Sequence, residues 1–353
     1  MDKKESFYWD VVKGVAIFLM LWGHCIQYCA LYDVYYPEDL VYKTIYTFHM
    51  PIFMLVSGYL FFYSFRKRNM AQLLEHRMRG MLQPIVMATF LNNILLQIPR
   101  YVMSNRVDFL YGSLFQGVGD SLWFLWAVLY CSLVVGVCCK LTDKISLQIP
   151  LLILGAFVIL LVPQWNMTLF MYPYFVAGFF CGRFRDSVKK LYKVLKFASL
   201  VLFPVMVTFY ETKHYIYVTP MFSQELGLAG SASIALYRCV IGFVGSVFML
   251  TVMEWLVFLG QKTALGEKCL GLFSKLGRNS LQIYCLSASL LSGYLPHLNH
   301  KLVEVMGDNV FEEVRFVYDF LYTPFLTVVW AIMLYYVVVF MRKCRLHKLV
   351  FGR

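Results

Sequence analysis

Trp9-Asp10-Val11-Val12-Lys13-Gly14-Val15-Ala16-Ile17-Phe18-Leu19-Met20-Leu21-Trp22-Gly23-His24-Cys25-Ile26-Gln27-Tyr28 decides the class of fold. This run is apolar for most of its length, long enough as a helix to cross a bilayer, and yet it carries Asp10, Lys13 and His24. Each charge placed at the centre of such a helix costs roughly 2.5 to 3.5 kcal/mol of insertion free energy, so ionisable groups kept there point to function. On an α-helix eleven residues make about three turns and rise about 16 Å, so Lys13 and His24 share a face. Asp10 lies one turn before Lys13 at i,i+3 spacing, where an ion pair lowers the cost of burying either charge.

The rest of the chain is of the same kind. Hydrophobic residues make up 60% and charged residues only 15%, against about a quarter charged in soluble domains. The composition predicts an all-α integral membrane protein. Apolar runs of span length recur near 8–31, 43–65, 80–99, 121–140, 148–163, 167–183, 195–211, 233–255, 278–297 and 317–341. About ten transmembrane helices are therefore expected, and the runs do not alternate with period two as barrel strands would. The connections near 100–120, 212–232 and 256–277 have room for one small helix each. The first run lacks a small-x-small cleavage pattern and reads as an uncleaved span. With no long polar segment or internal repeat, residues 1–353 read as a single transmembrane domain.

Lys and Arg are retained on the cytoplasmic side during insertion, and alternate connections are rich in them. Arg66, Lys67, Arg68, Arg77 and Arg79 stand in one such connection, Arg183, Arg185, Lys189, Lys190 and Lys193 in another, and Lys262, Lys268, Lys275 and Arg278 in a third. The intervening connections are poor in cations or acidic, with Asp33, Glu38 and Asp39 after the first run and Asp308, Glu312 and Glu313 before the last. Both termini are thus expected in the cytoplasm. This asymmetry, with contact to anionic lipid, accounts for the net charge of +12, and no nucleic-acid partner is implied. Of the ten cysteines, Cys25, Cys29, Cys131, Cys181, Cys239 and Cys285 fall inside spans as small apolar groups, and their spacing forms neither a metal site nor a disulfide framework.

The second span, entered from the outside, carries Phe48-His49-Met50-Pro51-Ile52-Phe53 and then Ser57-Gly58. His49 should lie at a depth similar to His24, and imidazole is the side chain best suited to take and return a proton near pH 7. Arg238, on Leu236-Tyr237-Arg238-Cys239, is a rare cation on the outer side, placed to bind an acidic acceptor or polarise a carbonyl, or else to pair with Glu211. From the residues alone, a proton or substrate path in a transporter or flippase and a non-catalytic membrane sensor compete with an enzyme.

Asp10-x-x-Lys13-Gly14, His24, the His49-Met50-Pro51 run with Ser57-Gly58-Tyr59-Leu60, Arg77-x-Arg79 followed by Pro84, Leu122-Trp123-Phe124-Leu125, Tyr172-Pro173-Tyr174-Phe175-x-x-Gly178 and Gly277-Arg278-Asn279-Ser280 together resemble the acyltransferase 3 family of integral-membrane acyltransferases. The resemblance implies a ten-helix fold in the bacterial inner membrane. It implies transfer of an acyl group, usually acetyl from cytoplasmic acetyl-CoA, to a hydroxyl of a surface glycan or lipid-linked sugar, with no metal. Under it His24, with His49, is the catalytic base. Lys13, Arg77, Arg79 and Asp10 belong to the donor side, and Arg238, Trp123 and Ser57 to the acceptor. The family commonly has Arg where this chain has Lys13, and an ammonium cannot reproduce Arg's fork of hydrogen bonds. Succinyl or longer acyl groups, and amine acceptors, remain alternatives.

Overall fold

A computed structural model describes residues 3–29, 36–104, 117–119, 121–306 and 315–352; Asp33, Asp308, Glu312 and Glu313 lie outside the described residues. The protein is an all-α membrane protein, with no strand among the described residues. The helices are α1 (Lys3–Cys29), α2 (Leu40–Arg66), α3 (Met70–Arg77), α4 (Gln83–Ser104), α5 (Trp123–Leu141), α6 (Ile145–Ile159), α7 (Trp165–Arg183), α8 (Arg185–Thr208), α9 (Gly227–Gly260), α10 (Ala264–Arg278), α11 (Ser280–Met306), α12 (Arg315–Lys343) and α13 (Leu346–Phe351). Each predicted span falls on one of them. Among the described residues, α1, α2, α5, α8, α9 and α12 are long and apolar enough to cross a bilayer. α8 begins ten residues before its predicted start at 195, because Lys189, Lys190 and Lys193, with Leu191 among them, favour helix while keeping the segment too polar to count as a span. α10 is the small helix expected within 256–277.

Side-chain caps set several helix starts. Asp39 Oδ1 accepts the Tyr42 amide at 2.7 Å and opens α2. Asn69 and Gln72 form a reciprocal capping box on α3. Thr263 Oγ1 accepts the Gly266 amide at 3.1 Å and opens α10. Single π turns follow Arg77, over Met78–Leu82, and occupy Tyr318–Tyr322 within α12. Such turns widen the helix locally and often mark functional positions.

The chain divides into two compact units, Met1–Tyr46 with Gln83–Val118 and Val257–Arg353, and Thr47–Leu82 with Gly119–Leu256. In the first, α1 is the central helix, packed against α10, α11 and α12, while α4 lies on α11. Its closest approach is to α10. A methyl group added at Gly14 would overlap the Phe273 carbonyl oxygen, and one added at Gly277 would overlap that of Asp10. Two backbones in contact need this absence of side chain on both sides. Tyr318 Oη donates to the Ile26 carbonyl at 2.8 Å and Asn299 Nδ2 to the Cys29 carbonyl at 2.9 Å, which ties the far end of α1 to α12 and α11.

The second unit repeats the device. Gly58 of α2 faces the Phe175 carbonyl and Gly178 of α7 faces that of Leu55, each with no room for a methyl. α9 reaches α2 and α8 through Gly245, whose added methyl would press on Phe48 and Phe203. α5 packs between α7, α6 and α3.

Candidate active site

α1 carries two polar centres on one helix. At its amino-terminal end Lys13 Nζ sits 2.9 Å from Asp10 Oδ1, the predicted i,i+3 pair. Arg278 joins them, its Nε 3.3 Å from Asp10 Oδ2. The glycine contact explains that third partner: Gly277 brings α10 onto the Asp10 turn, and the next residue is within ion-pair reach. Asp10 is mostly buried and Arg278 mostly exposed, so one screened carboxylate faces two cations and the cluster keeps a net positive charge. Such a centre suits phosphate oxygens, since Arg offers a planar fork and Lys a mobile point charge.

Eleven residues on, the half-buried His24 ring stands in an aromatic corner. Tyr28 lies nearly parallel to it at 5.6 Å between centroids, and Tyr46 meets it edge-on at 6.3 Å. Nδ1 is 3.2 Å from Gln27 Oε1 and 3.4 Å from Tyr46 Oη, and Tyr46 Oη donates to the same Gln27 oxygen at 3.3 Å. Tyr46 in turn stacks on Tyr42 at 3.9 Å, and Tyr42 is fixed by the Asp39 cap. Asp39 also pairs with Arg315 at 2.8 Å. Among the described residues Nε2 of His24 has no hydrogen-bond partner. One ring nitrogen is held and the other is open.

The remaining predicted residues lie in the second unit. His49 is buried in α2, two residues before Pro51. Ser57 is partly exposed one residue before the Gly58 contact. Trp123 is the first residue of α5 and meets Phe124 edge-on, directly after Leu122, which has a φ of 51°. A branched side chain in that left-handed region costs on the order of 1 kcal/mol or more, which the packed start of α5 sustains. Arg77 lies with its guanidinium 4.5 Å over the Phe61 ring, and Arg79, on the π turn, pairs with Glu75 at 3.0 Å across an exposed surface.

Arg238 is 2% exposed and binds main chain. Nε donates to the His214 carbonyl at 2.6 Å, and Nη2 donates to those of Lys213, Tyr215 and Thr219 at 3.1, 3.1 and 2.7 Å. The alternative of pairing with Glu211 is not what is found; Glu211 pairs with Lys213 at 2.8 Å. Arg238 therefore pins the loop between α8 and α9. Within that loop His214 Nδ1 accepts the Glu211 amide at 2.8 Å. Burial, and then the neighbouring Lys213 charge, hold the His214 pKa below its ordinary value.

Sequence reasoning did not single out Gln27, Tyr46 or Arg278 as site residues. Gln27 could have been found, because it stands three residues from His24 and so on its face. Arg278 stood among the topology-setting cations, and nothing local joined it to Asp10.

A helical membrane bundle whose central helix bears a cation cluster and a one-sidedly held histidine is the setting in which the family match falls. Residues 6–342 match the family described as an acyltransferase domain, and the chain belongs to this acyltransferase 3 family. Among curated proteins it is similar to "Nodulation protein NolL" of Mesorhizobium japonicum, 27% identical over 48% of this chain and 46% of that protein. It is similar also to "Nodulation protein NolL" of Sinorhizobium fredii, 29% identical over 55% of this chain and 53% of that protein. The chain thus spans about half the length of the curated relatives it matches. No solved structure matches it significantly.

Proposed function

We propose that this protein is a membrane O-acyltransferase that moves an acyl group, acetyl above all, from cytoplasmic acetyl-CoA to a hydroxyl of a surface or lipid-linked glycan. The observation that carries the proposal is the pairing on one helix of a net-positive cluster with a histidine whose Nε2 is open, in a chain matched by an acyltransferase domain along nearly its whole length. A thioester carbonyl is attacked slowly by a neutral hydroxyl and rapidly by one losing its proton. In the proposed step Nε2 of His24 takes the acceptor's hydroxyl proton as the oxygen bonds to the thioester carbon. The carbon–sulfur bond then breaks, and the departing CoA thiolate takes the proton from the imidazolium, giving the ester, CoA thiol and neutral His24. Lys13 and Arg278 take CoA phosphates at the Asp10 end of α1, with Arg77 and Arg79 as further cations on the donor side. The span of about 16 Å between Lys13 and His24 is bridged by the pantetheine arm. His49 is carried with His24 as a catalytic group, Trp123 and Ser57 are assigned to the acceptor side, and Arg238 acts there through the loop it holds.

The test is purified protein in nanodiscs with radiolabelled acetyl-CoA and a membrane glycan extract, wild type beside His24→Ala. Label on glycan with wild type alone is the expected result. Absence of label together with absence of acetyl-CoA binding would overturn the proposal in favour of a transport function.

A further inference from the structure

We infer that Gln27 is the positioning residue of His24: its side-chain carbonyl holds the imidazole in the Nδ1–H tautomer and so makes Nε2 the basic nitrogen. The inference rests on the acyl-transfer function proposed above and adds to it the residue that sets the base. A neutral imidazole has one N–H and one lone pair, and the partner of one nitrogen decides the role of the other. At Nδ1 the partners are Gln27 Oε1 at 3.2 Å and Tyr46 Oη at 3.4 Å. An amide oxygen only accepts. With that acceptor-only oxygen at 3.2 Å, Nδ1 takes the donor role, and Tyr46 Oη, 3.3 Å from the same oxygen, donates to it as well. The amide oxygen thereby receives two hydrogen bonds, one from each ring, and all three side chains fix one another.

The choice of a neutral acceptor has a chemical consequence. A carboxylate at this place would stabilise the imidazolium and raise the basicity of Nε2. An amide orients the ring and raises that basicity much more weakly, since it brings a hydrogen-bond acceptor without a full negative charge. The ionisable groups facing the ring are Tyr28 on its own helix and Tyr46 on α2; among the described residues no carboxylate or cation is paired with it. The i,i+3 spacing keeps Gln27 on the His24 face through any rigid shift of α1.

Two variants of the full-length protein in nanodiscs test this. Gln27→Leu keeps the volume and removes the acceptor, and Gln27→Glu keeps the acceptor and adds charge. With Gln27→Leu, kcat for acyl transfer is expected to fall on the order of tenfold or more, inside the roughly 10²- to 10⁴-fold span of general-base contributions, with KM for acetyl-CoA unchanged. With Gln27→Glu turnover should return, and the acid limb of the pH profile should move to higher pH, because His24 then keeps its proton longer. Nitrogen NMR of histidine-labelled protein, with the His24 signal assigned by its loss in His24→Ala, should show Nδ1–H in wild type and a tautomer mixture in Gln27→Leu. Wild-type kcat in folded Gln27→Leu, or an Nε2–H tautomer in wild type, would overturn the inference. The NMR reading stands whether or not acetyl-CoA proves to be the donor, so failure of the function and failure of the Gln27 role are distinguishable.

Discussion

His24 and Asp10 meet the same difficulty, polarity inside an apolar helix, with different solutions. Asp10 is neutralised by two cations, whereas His24 is uncharged and is satisfied at one nitrogen only. A histidine kept only for packing would gain from a partner at both nitrogens, as most polar groups inside proteins have. Leaving Nε2 open is the arrangement a base needs. His24→Ala is therefore expected to lower kcat by about 10²- to 10⁴-fold while the purified protein keeps its elution volume and melting temperature. Wild-type turnover in that variant would remove His24 from the mechanism. The cation cluster makes a different prediction. Arg278 is more exposed than Lys13 and should meet an incoming phosphate first, so Arg278→Ala is expected to raise KM for acetyl-CoA several-fold with kcat unchanged. The effect should shrink as salt rises, because exposed charges are screened over about 10 Å at 0.1 M ionic strength. A fall in kcat at constant KM would place Arg278 elsewhere. Asp10, Lys13 and His24 were legible in the sequence because three ionisable residues in one apolar run stand out. Arg278 was not, since the chemistry that joins it to Asp10 depends on a contact between helices far apart in the chain.

The glycine contacts act at the level of whole helices. Gly14 and Gly277 each face a carbonyl oxygen of the opposite helix, as do Gly58 and Gly178. Overpacking a tight site usually costs about 1 to 3 kcal/mol, and a backbone obstacle yields less than a side chain would. Gly277→Ala and Gly178→Ala should each lower the melting temperature in detergent, and Gly277→Ala should also weaken donor use by moving Arg278. Gly271 has open space around it on the same α10, and Gly271→Ala should leave stability unchanged or raise it by up to about 1 kcal/mol, the helix-propensity difference. Equal melting temperatures for Gly277→Ala and Gly271→Ala would contradict the backbone contact. Gly58, Gly178 and Gly277 entered the sequence reading as parts of motifs and without partners, because a glycine's partner is invisible until two helices are docked. The loop between α8 and α9 adds a pH-dependent element. His214 accepts the Glu211 amide only when neutral, and its pKa is held below the ordinary 6.5 by burial and Lys213. A histidine depressed in the folded state contributes stability that is present above its unfolded pKa and lost as pH falls toward the folded value. Amide protection in this loop, corrected for intrinsic exchange, should thus decline as pH drops below about 6.5, and His214→Asn should remove that decline. Protection that is flat with pH in wild type would show that the hydrogen bond does not hold the loop.

At the scale of the molecule, the distribution of charge still predicts which side of the membrane each end faces. Every apolar stretch read from the sequence falls on a helix, since long apolar runs have one economical conformation in lipid, with all main-chain groups bonded within the segment. Helix limits were less legible where polar helix formers extend a span, as at the start of α8. The positive-inside bias predicts that α10 and the carboxyl-terminal end of α12 face the cytoplasm. Two native cysteines report on this directly. All ten cysteines are free thiols, and Cys269 on α10 and Cys344 at the end of α12 are exposed, while most of the others are buried among helices. Cys344 stands between Lys343 and Arg345, a setting of headgroup depth where an exposed thiol meets water. A membrane-impermeant maleimide should therefore label Cys344, and Cys269 with it, in inverted membrane vesicles and spare both in intact spheroplasts. Cys344→Ser and Cys269→Ser assign the signal to each position. Labelling of Cys344 from the outer face would invert the orientation of α12, set the Asp10, Lys13 and Arg278 cluster away from the cytoplasmic pool of acyl-CoA, and remove the reason to place CoA phosphates there.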